Sequence, residues 1–103
     1  SAMPPSLTPS APAEVTTPEG LERATREPGY LVICWNDPIN SMLFVTHVFQ
    51  QVFGWDRAKA RRHMLEVHEK GRSVLVRESF EKAEFYVHQL HKYSLQATLE
   101  RDE

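Results

Sequence analysis

The chain lacks the features that mark secreted, membrane-spanning or strongly charged proteins. Its 103 residues contain one cysteine, so no internal disulfide can form, which fits a reducing compartment. No apolar run approaches the roughly 18 residues of a membrane span, and no secretory signal pattern opens the chain. The formal net charge of −2 does not favour nucleic acid as a partner. We therefore expect a cytoplasmic protein that binds neither membranes nor nucleic acid.

Proline is concentrated near the beginning of the chain. Six of the seven prolines lie in residues 4–29, where aromatic and β-branched residues hardly cluster. Such a stretch buries too little surface to offset its ordering entropy. The first three residues resemble the scar of a removed tag. We therefore predict a flexible extension over residues 1–29 and one folded domain over residues 30–103, which we expect to be a monomer.

The rest of the chain alternates between strand and helix patterns. A short apolar run with β-branched residues predicts a buried strand over Tyr30–Trp35. Apolar residues at helical spacing, with Ser41 or Asn40 as cap and Gly54 as terminator, predict a helix over 42–53. The later elements are a helix from Asp56 to Gly71, a strand over 73–76, a helix from Ser79 to about Tyr93 with Phe80, Ala83, Val87 and Leu90 as its apolar stripe, and a strand over 95–99. The order β-α-α-β-α-β predicts an α+β domain in which three helices pack on a three-stranded antiparallel sheet.

Two segments about 30 residues apart predict a binding site. The first strand ends abruptly in Asn36 and Asp37, and His68 lies near the end of the second helix. An amide, a carboxylate and a neutral imidazole offer three acceptors, which suit the three donors of an ammonium group such as an α-amino terminus. Alternatively, Asn36 and Asp37 form only a turn and cap, and His68 is an ordinary histidine at a helix C-terminus.

Apolar residues near this polar corner predict a hydrophobic wall. Met64 shares a helix face with His68, one turn away, and Met42 opens the first helix. Methionine adapts to partners of different shape, which suits the rim of a pocket. The predicted wall comprises Met42, Val45, Met64, Val67 and Leu95. Cys34 is predicted to lie below this wall. Plain core packing is the alternative, above all for Val45 and Val67.

Three stretches together form a recognisable pattern. They are Tyr30-x-Val32-Ile33-x-x-Asn36-Asp37-x-x-x-x-Met42-x-Phe44-Val45, then Ala60-x-x-x-Met64-Leu65-x-Val67-His68-x-x-Gly71, then Glu81-x-Ala83-Glu84. The combination closely resembles the ClpS adaptor family, over a length from about Tyr30 to Glu100. The chain departs from that family at Pro38, where many members have a second acidic residue, and at Tyr86, where a lysine often lies.

The resemblance implies a bacterial N-degron adaptor rather than an enzyme, with no cofactor or metal. Family members capture proteins that begin with Leu, Phe, Tyr or Trp and deliver them to an AAA+ unfoldase, ClpA or ClpC, working with the ClpP peptidase. By position, the substrate α-amino group would be held by Asn36, Asp37 and His68. The hydrophobic pocket would be lined by Asn40, Met42, Val45, Met64, Val67 and Leu95, with Met42 guarding its mouth against β-branched side chains. The unfoldase would be contacted by Glu81 and Glu84.

Other functions fit parts of the sequence. Catalysis by Cys34, His68 and Asp37 is disfavoured because Cys34 lies inside an apolar strand and no phosphate loop or nucleophile elbow is present. Metal binding is disfavoured because neither close histidine pair has the further ligands that zinc requires. The main alternative is a small nucleic-acid-binding or structural module that uses the basic second helix, with Arg57, Lys59, Arg61 and Arg62.

Overall fold

The computed structural model describes residues 28–102, which form three strands and three helices. In chain order these are β1 (Gly29–Trp35), α1 (Met42–Phe53), α2 (Arg57–Lys70), β2 (Arg72–Glu78), α3 (Phe80–Lys92) and β3 (Gln96–Asp102). The predicted element order and the α+β class are confirmed. The predicted flexible extension lies outside the described residues, apart from its last two positions. Across residues 28–102, no helix is long and apolar enough to cross a membrane.

β1 is the central strand of an antiparallel sheet with the order β2-β1-β3. Its register against β2 shifts between Val32 and Ile33, and the shift skips Leu75. Both outer strands continue past their predicted ends into charged residues, because backbone pairing with β1 does not require apolar side chains. Leu95, predicted to begin the last strand, lies before β3 and donates its backbone N–H to the carbonyl of Leu90 at 3.1 Å.

The helices begin and end at residues that favour those boundaries. The side chains of Ser41 and Asp56 each accept the backbone N–H three residues further on, at 3.1 and 2.8 Å. Gly54 and Gly71 end α1 and α2 with φ angles of 71° and 92°, which glycine adopts without strain. Ser79 occupies the N-cap position of α3, as predicted, but makes no side-chain capping bond.

The hydrophobic core lies between the sheet and the helices. Its most deeply buried apolar side chains include Val32, Cys34, Val48, Phe49, Ala60, Ala83 and Leu90. The predicted apolar stripe of α3 is buried except at Phe80, which is 47% exposed and packs edge-on against Tyr30 with ring centroids 5.2 Å apart. Phe80 is the first residue of α3, so no preceding helical turn covers it.

A buried polar network fixes α2 against β2. Ser73, on β2, is 1% exposed, and its hydroxyl donates to Glu66 Oε1 at 2.5 Å. Because the hydroxyl has only one proton, Ser73 Oγ accepts from the Nδ1–H of His63, 2.8 Å away. The His63 ring stacks on Trp55 with centroids 4.6 Å apart. Burial lowers the pKa of His63, although neighbouring Glu66 acts in the opposite direction. The folded state therefore favours the neutral ring.

We predict that acid destabilises the fold through His63. The folded state binds the His63 proton less tightly than the unfolded chain, in which histidine titrates near pH 6.5. The unfolded state therefore takes up more protons below about pH 6.5, and the free energy of unfolding should fall as the pH drops. His63→Gln keeps a donor for Ser73 but does not titrate, so its urea midpoint should fall less than the wild-type midpoint between about pH 7.5 and 5.5.

The matched control for this prediction is His47→Gln, at an exposed position of α1. This variant should follow the wild-type pH dependence, because His47 contributes nothing to the buried network. Equal losses of stability in His63→Gln and the wild type would contradict the prediction.

Candidate binding site

One cavity of about 380 Å³ lies where the end of β1 meets α1, α2 and the turn before β3. All nine residues predicted to bind the α-amino group or to form the pocket line it: Asn36, Asp37, Asn40, Met42, Val45, Met64, Val67, His68 and Leu95. It is also lined by Cys34, Trp35, Pro38 and Ser41. Trp35, Pro38 and Ser41 were not predicted to line the pocket. The sequence signals for them were adjacency to predicted residues and, for Pro38, its departure from the family pattern.

A backbone hydrogen bond joins the two segments that are distant in sequence. The N–H of Asn36 donates to the carbonyl of Gly71 at 2.9 Å. Gly71 follows α2, three residues after His68, so the end of β1 is attached to the end of that helix. Together with the pairing of Trp35 with Arg72, this contact places Asn36, Asp37 and His68 at the same cavity.

Most hydrogen-bonding atoms of the polar side chains in this corner have no partner within residues 28–102. Asp37 Oδ1 accepts the backbone N–H of Ile39 at 2.8 Å, which is the turn role considered as an alternative. Within residues 28–102, no hydrogen bond or ion pair engages the second carboxylate oxygen of Asp37, the side-chain amide of Asn36 or the imidazole of His68. Asp37 therefore forms the turn and still leaves an acceptor for a ligand.

The lining becomes more buried from the mouth to the interior. Met42 is 47% exposed, whereas Met64, Val67 and Leu95 are only 4–6% exposed. These three residues also belong to the hydrophobic core, and Val45 packs against it. Core packing and pocket lining are therefore not exclusive, because the same side chains support the fold on one side and face the cavity on the other.

The wall containing Leu95 is held by a contact that sequence spacing does not indicate. Asn40 Nδ2 donates to the backbone carbonyl of Ser94 at 2.9 Å, across 54 residues of sequence. Ser94 has a φ of 66°, a left-handed angle that is uncommon for a residue with a side chain. Asn40 was expected to line the pocket or to cap the following helix; Ser41 is the cap, and Asn40 connects the loop after β1 to the turn before β3.

Cys34 lies at the inner end of the cavity and is 1% exposed. Burial raises the pKa of its thiol to about 12, and the nearby negative charge of Asp37 acts in the same direction. The thiol is therefore protonated at neutral pH and is neither a nucleophile nor a good metal ligand. Cys34 behaves as a small apolar residue.

The other candidate residues lie elsewhere. Glu81 and Glu84 are exposed on α3 and do not line the cavity. On the basic helix α2, the ammonium group of Lys59 lies over the ring of Trp55, 4.8 Å from its centroid. In the part of the chain that the structure describes, no three side chains converge to hold a metal ion.

A family model and individual relatives place the chain in the same family. The model of the family described as ATP-dependent Clp protease adaptor protein ClpS matches residues 25–99. The ATP-dependent Clp protease adapter protein ClpS of Nocardia farcinica is 39% identical over 95 residues, which cover 88% of this chain and 90% of that protein. The protein of the same name from Streptomyces avermitilis is 42% identical over 100 residues, covering 93% and 95%.

A solved structure agrees with these sequence matches. The structure of Agrobacterium tumefaciens ClpS2 bound to L-phenylalaninamide superimposes with a TM-score of 0.69 at 29% identity, and the match covers 75% of this chain and all of that one. The family model alone matches well over half of the chain. This chain therefore belongs to the ClpS family of ATP-dependent Clp protease adaptor proteins.

Proposed function

We propose that this protein captures proteins with a destabilising N-terminal residue (Leu, Phe, Tyr or Trp) and delivers them to a Clp AAA+ unfoldase in the bacterial cytoplasm. The observation that carries the proposal is a cavity whose interior is apolar and whose polar corner has acceptors that no other group of residues 28–102 engages. A protein N-terminus has the matching chemistry, because its ammonium group lies beside its first side chain. No bond is made or broken, so selectivity is a difference in binding free energy.

The polar corner would recognise the charged terminus. Asn36 Oδ1, the second oxygen of Asp37 and a neutral His68 nitrogen each accept one hydrogen of the ammonium group. Hydrogen bonds to a charged group contribute about 1.5–3 kcal/mol each, although they do not add. The ε-ammonium group of an internal lysine has no hydrophobic side chain on the carbon that bears it, so it cannot fill the polar corner and the apolar interior together. The two parts of the cavity in combination therefore select for chain ends.

The apolar interior would bind the first side chain. Met64, Val67 and Leu95 form the inner wall with Val45, and exposed Met42 stands at the mouth. Burying a leucine- or phenylalanine-sized side chain contributes about 1.5–3 kcal/mol. Met42 would disfavour side chains branched at Cβ, whose bulk lies at the level of the mouth. The ligand of the Agrobacterium relative, L-phenylalaninamide, combines a free α-amino group with an aromatic side chain, which supports this mode of binding.

Delivery requires a second surface, for which we propose the exposed face of α3. Glu81 and Glu84 lie one turn apart there, outside the cavity, so an unfoldase can be bound while the cavity holds a substrate. Phe85, one turn after Glu81, is 56% exposed and adds apolar area to this face. The partner would be the N-terminal domain of a ClpA- or ClpC-type unfoldase that works with ClpP.

We predict that N-terminal acetylation abolishes binding. Acetylation removes the charge and a donor and adds bulk at the polar corner. A short peptide that begins with phenylalanine should bind at least a hundredfold more weakly when acetylated, which corresponds to about 3 kcal/mol. Isothermal titration calorimetry with the free and acetylated forms measures the difference. Equal affinities would show that the terminus is not recognised.

We predict that His68→Ala impairs peptide binding without impairing folding. The exposed imidazole makes no hydrogen bond within residues 28–102, so its removal should leave the unfolding midpoint nearly unchanged. Loss of one acceptor for the ammonium group should weaken binding about tenfold or more. His47→Ala, at an exposed position of α1 away from the cavity, is the control and should bind normally. Parallel losses of stability and affinity in His68→Ala would favour a structural role.

We predict that replacing the two acidic residues on the exposed face of α3 by lysine impairs delivery to the unfoldase but leaves peptide binding unchanged. The double variant Glu81→Lys and Glu84→Lys should bind a phenylalanine-initiated peptide normally but should slow degradation of a matching reporter by an unfoldase with ClpP at least tenfold. Glu69→Lys, at an exposed position of α2, is the control and should deliver normally. Normal delivery by the double variant would exclude this face of α3 as the docking surface.

A further inference from the structure

Three sulfur-bearing side chains line the cavity, and they differ greatly in their access to solvent. Cys34 is 1% exposed and Met64 is 6% exposed, whereas Met42, at the mouth, is 47% exposed. The third methionine of the chain, Met3, precedes the described residues. A small oxidant in solution therefore reaches the side chain of Met42 far more readily than the other two sulfur-bearing side chains of the cavity.

Met42 is held at the mouth by the start of α1. The Ser41 hydroxyl accepts the N–H of Phe44 at 3.1 Å, and the Met42 carbonyl accepts the hydroxyl of Thr46 at 2.9 Å. Thr46 is 5% exposed, so the backbone of Met42 is anchored to a buried residue. The side chain of Met42 does not belong to the hydrophobic core, unlike that of Met64. Oxidation of Met42 therefore changes the mouth of the cavity and leaves the core intact.

The buried thiol of Cys34 does not compete for the oxidant. Peroxides react with the thiolate form of cysteine, and burial raises the pKa of Cys34 to about 12, so the thiol is protonated at neutral pH. The thioether of methionine has no proton to lose, so exposure decides which methionine reacts. Of the sulfur atoms at the cavity, the one in Met42 is therefore the first to be oxidised.

The reaction transfers one oxygen atom from hydrogen peroxide to the thioether. A lone pair of sulfur forms the new S–O bond while the O–O bond of the peroxide breaks. Sulfur is oxidised by two electrons, and the rest of the peroxide leaves as water. The product, methionine sulfoxide, is polar, whereas the thioether is apolar, and sulfoxide reductases convert it back to methionine.

A sulfoxide at the mouth opposes the entry of an apolar side chain. In the free protein, water can donate hydrogen bonds to the sulfoxide oxygen, because this position is half-exposed. A side chain that passes Met42 into the interior displaces that water. A polar group that loses its hydrogen bonds in this way raises the free energy of the complex.

We propose that Met42 is a site of reversible oxidation by peroxides, and that its sulfoxide weakens substrate capture because it places a polar oxygen at the mouth of the cavity. This inference rests on the proposed function, in which the first side chain of a substrate passes Met42 to reach the interior. Under oxidising conditions the adaptor then binds its substrates more weakly, and reduction of the sulfoxide restores capture.

The first test compares the protein with itself before and after oxidation. After treatment of the folded protein with hydrogen peroxide, peptide mass spectrometry should find sulfoxide at Met42 while Met64 is still largely reduced. The oxidised protein should bind a short peptide that begins with phenylalanine at least fivefold more weakly in calorimetric titrations. Treatment with two methionine sulfoxide reductases, one for each sulfoxide epimer, should restore the affinity.

The second test asks whether a bound peptide protects Met42. A side chain in the interior covers the mouth, so a saturating peptide without sulfur should slow the oxidation of Met42 at least fivefold. Met3, which lies 39 positions earlier in the sequence, is the internal control and should react at the same rate with and without peptide. An unchanged rate at Met42 would contradict its placement at the mouth of an occupied cavity.

The third test assigns the effect to one sulfur atom, and each variant is compared with itself before and after peroxide. Met42→Leu lacks the exposed sulfur, so its affinity, whatever its starting value, should not change on treatment. Met3→Leu and Met64→Leu retain Met42 and should lose affinity as the wild-type protein does. Thermal unfolding before and after treatment shows that each protein is folded, which separates an effect at the mouth from damage to the core.

The outcomes separate this inference from the proposed function. Unchanged affinity of a protein that is fully oxidised at Met42 would overturn the inference, and so would an equal loss of affinity in Met42→Leu. Either result would leave the adaptor function intact, because the reduced protein would still bind the peptide. Failure of the reduced protein to bind the peptide at all would overturn the proposed function itself.

Discussion

The hydrogen bond from the N–H of Asn36 to the carbonyl of Gly71 is the constraint on which the candidate site depends. It continues the pairing of Trp35 with Arg72 by one step and attaches the end of the central strand to the end of α2, so that the strand-end residues and His68 line the same cavity. Gly71 makes the contact available because its φ of 92° reverses the chain within one residue, so that β2 begins at Arg72 beside β1. The conformation of Gly71 thus ends α2, starts the pairing of β2 with β1 and helps to bring the polar groups of the site together.

In the proposed function, the apolar interior and the polar corner of the cavity have different roles. Its inner wall belongs to the hydrophobic core, so an apolar side chain that enters it gains about as much as a buried core residue, roughly 1.5–3 kcal/mol. Its polar groups lie at the exposed end, where water can satisfy them before a ligand arrives. In the proposed function both parts would contribute to affinity, and discrimination between a free chain end and an internal segment would come from the corner. The network around Ser73 joins α2 to β2, and the link from Asn40 to Ser94 joins the loop after β1 to the turn before β3, which would lower the ordering cost of binding.

Much of the fold was predictable because local signals agreed with one another. Ser41, Asp56, Gly54 and Gly71 mark helix boundaries through their own backbone and side-chain chemistry, which needs no tertiary contact. The outer strands were predicted too short, since their terminal pairing depends on the neighbouring strand rather than on their own apolar residues. Phe80 continues the apolar period of α3 but lies at its first turn, where burial depends on what packs nearby.

The sequence by itself determined the element order, the polar end of β1 and the shared face of Met64 and His68, because each follows from residue types at short, fixed spacings. That these pieces surround one cavity followed from the family resemblance and from no local pattern, and the tertiary structure shows all nine predicted residues lining it. It also decided that Asp37 serves a turn with one oxygen, and that Asn40 reaches Ser94 across 54 residues. Such contacts depend on how strands and helices are placed relative to one another, and no local pattern of residues encodes that placement.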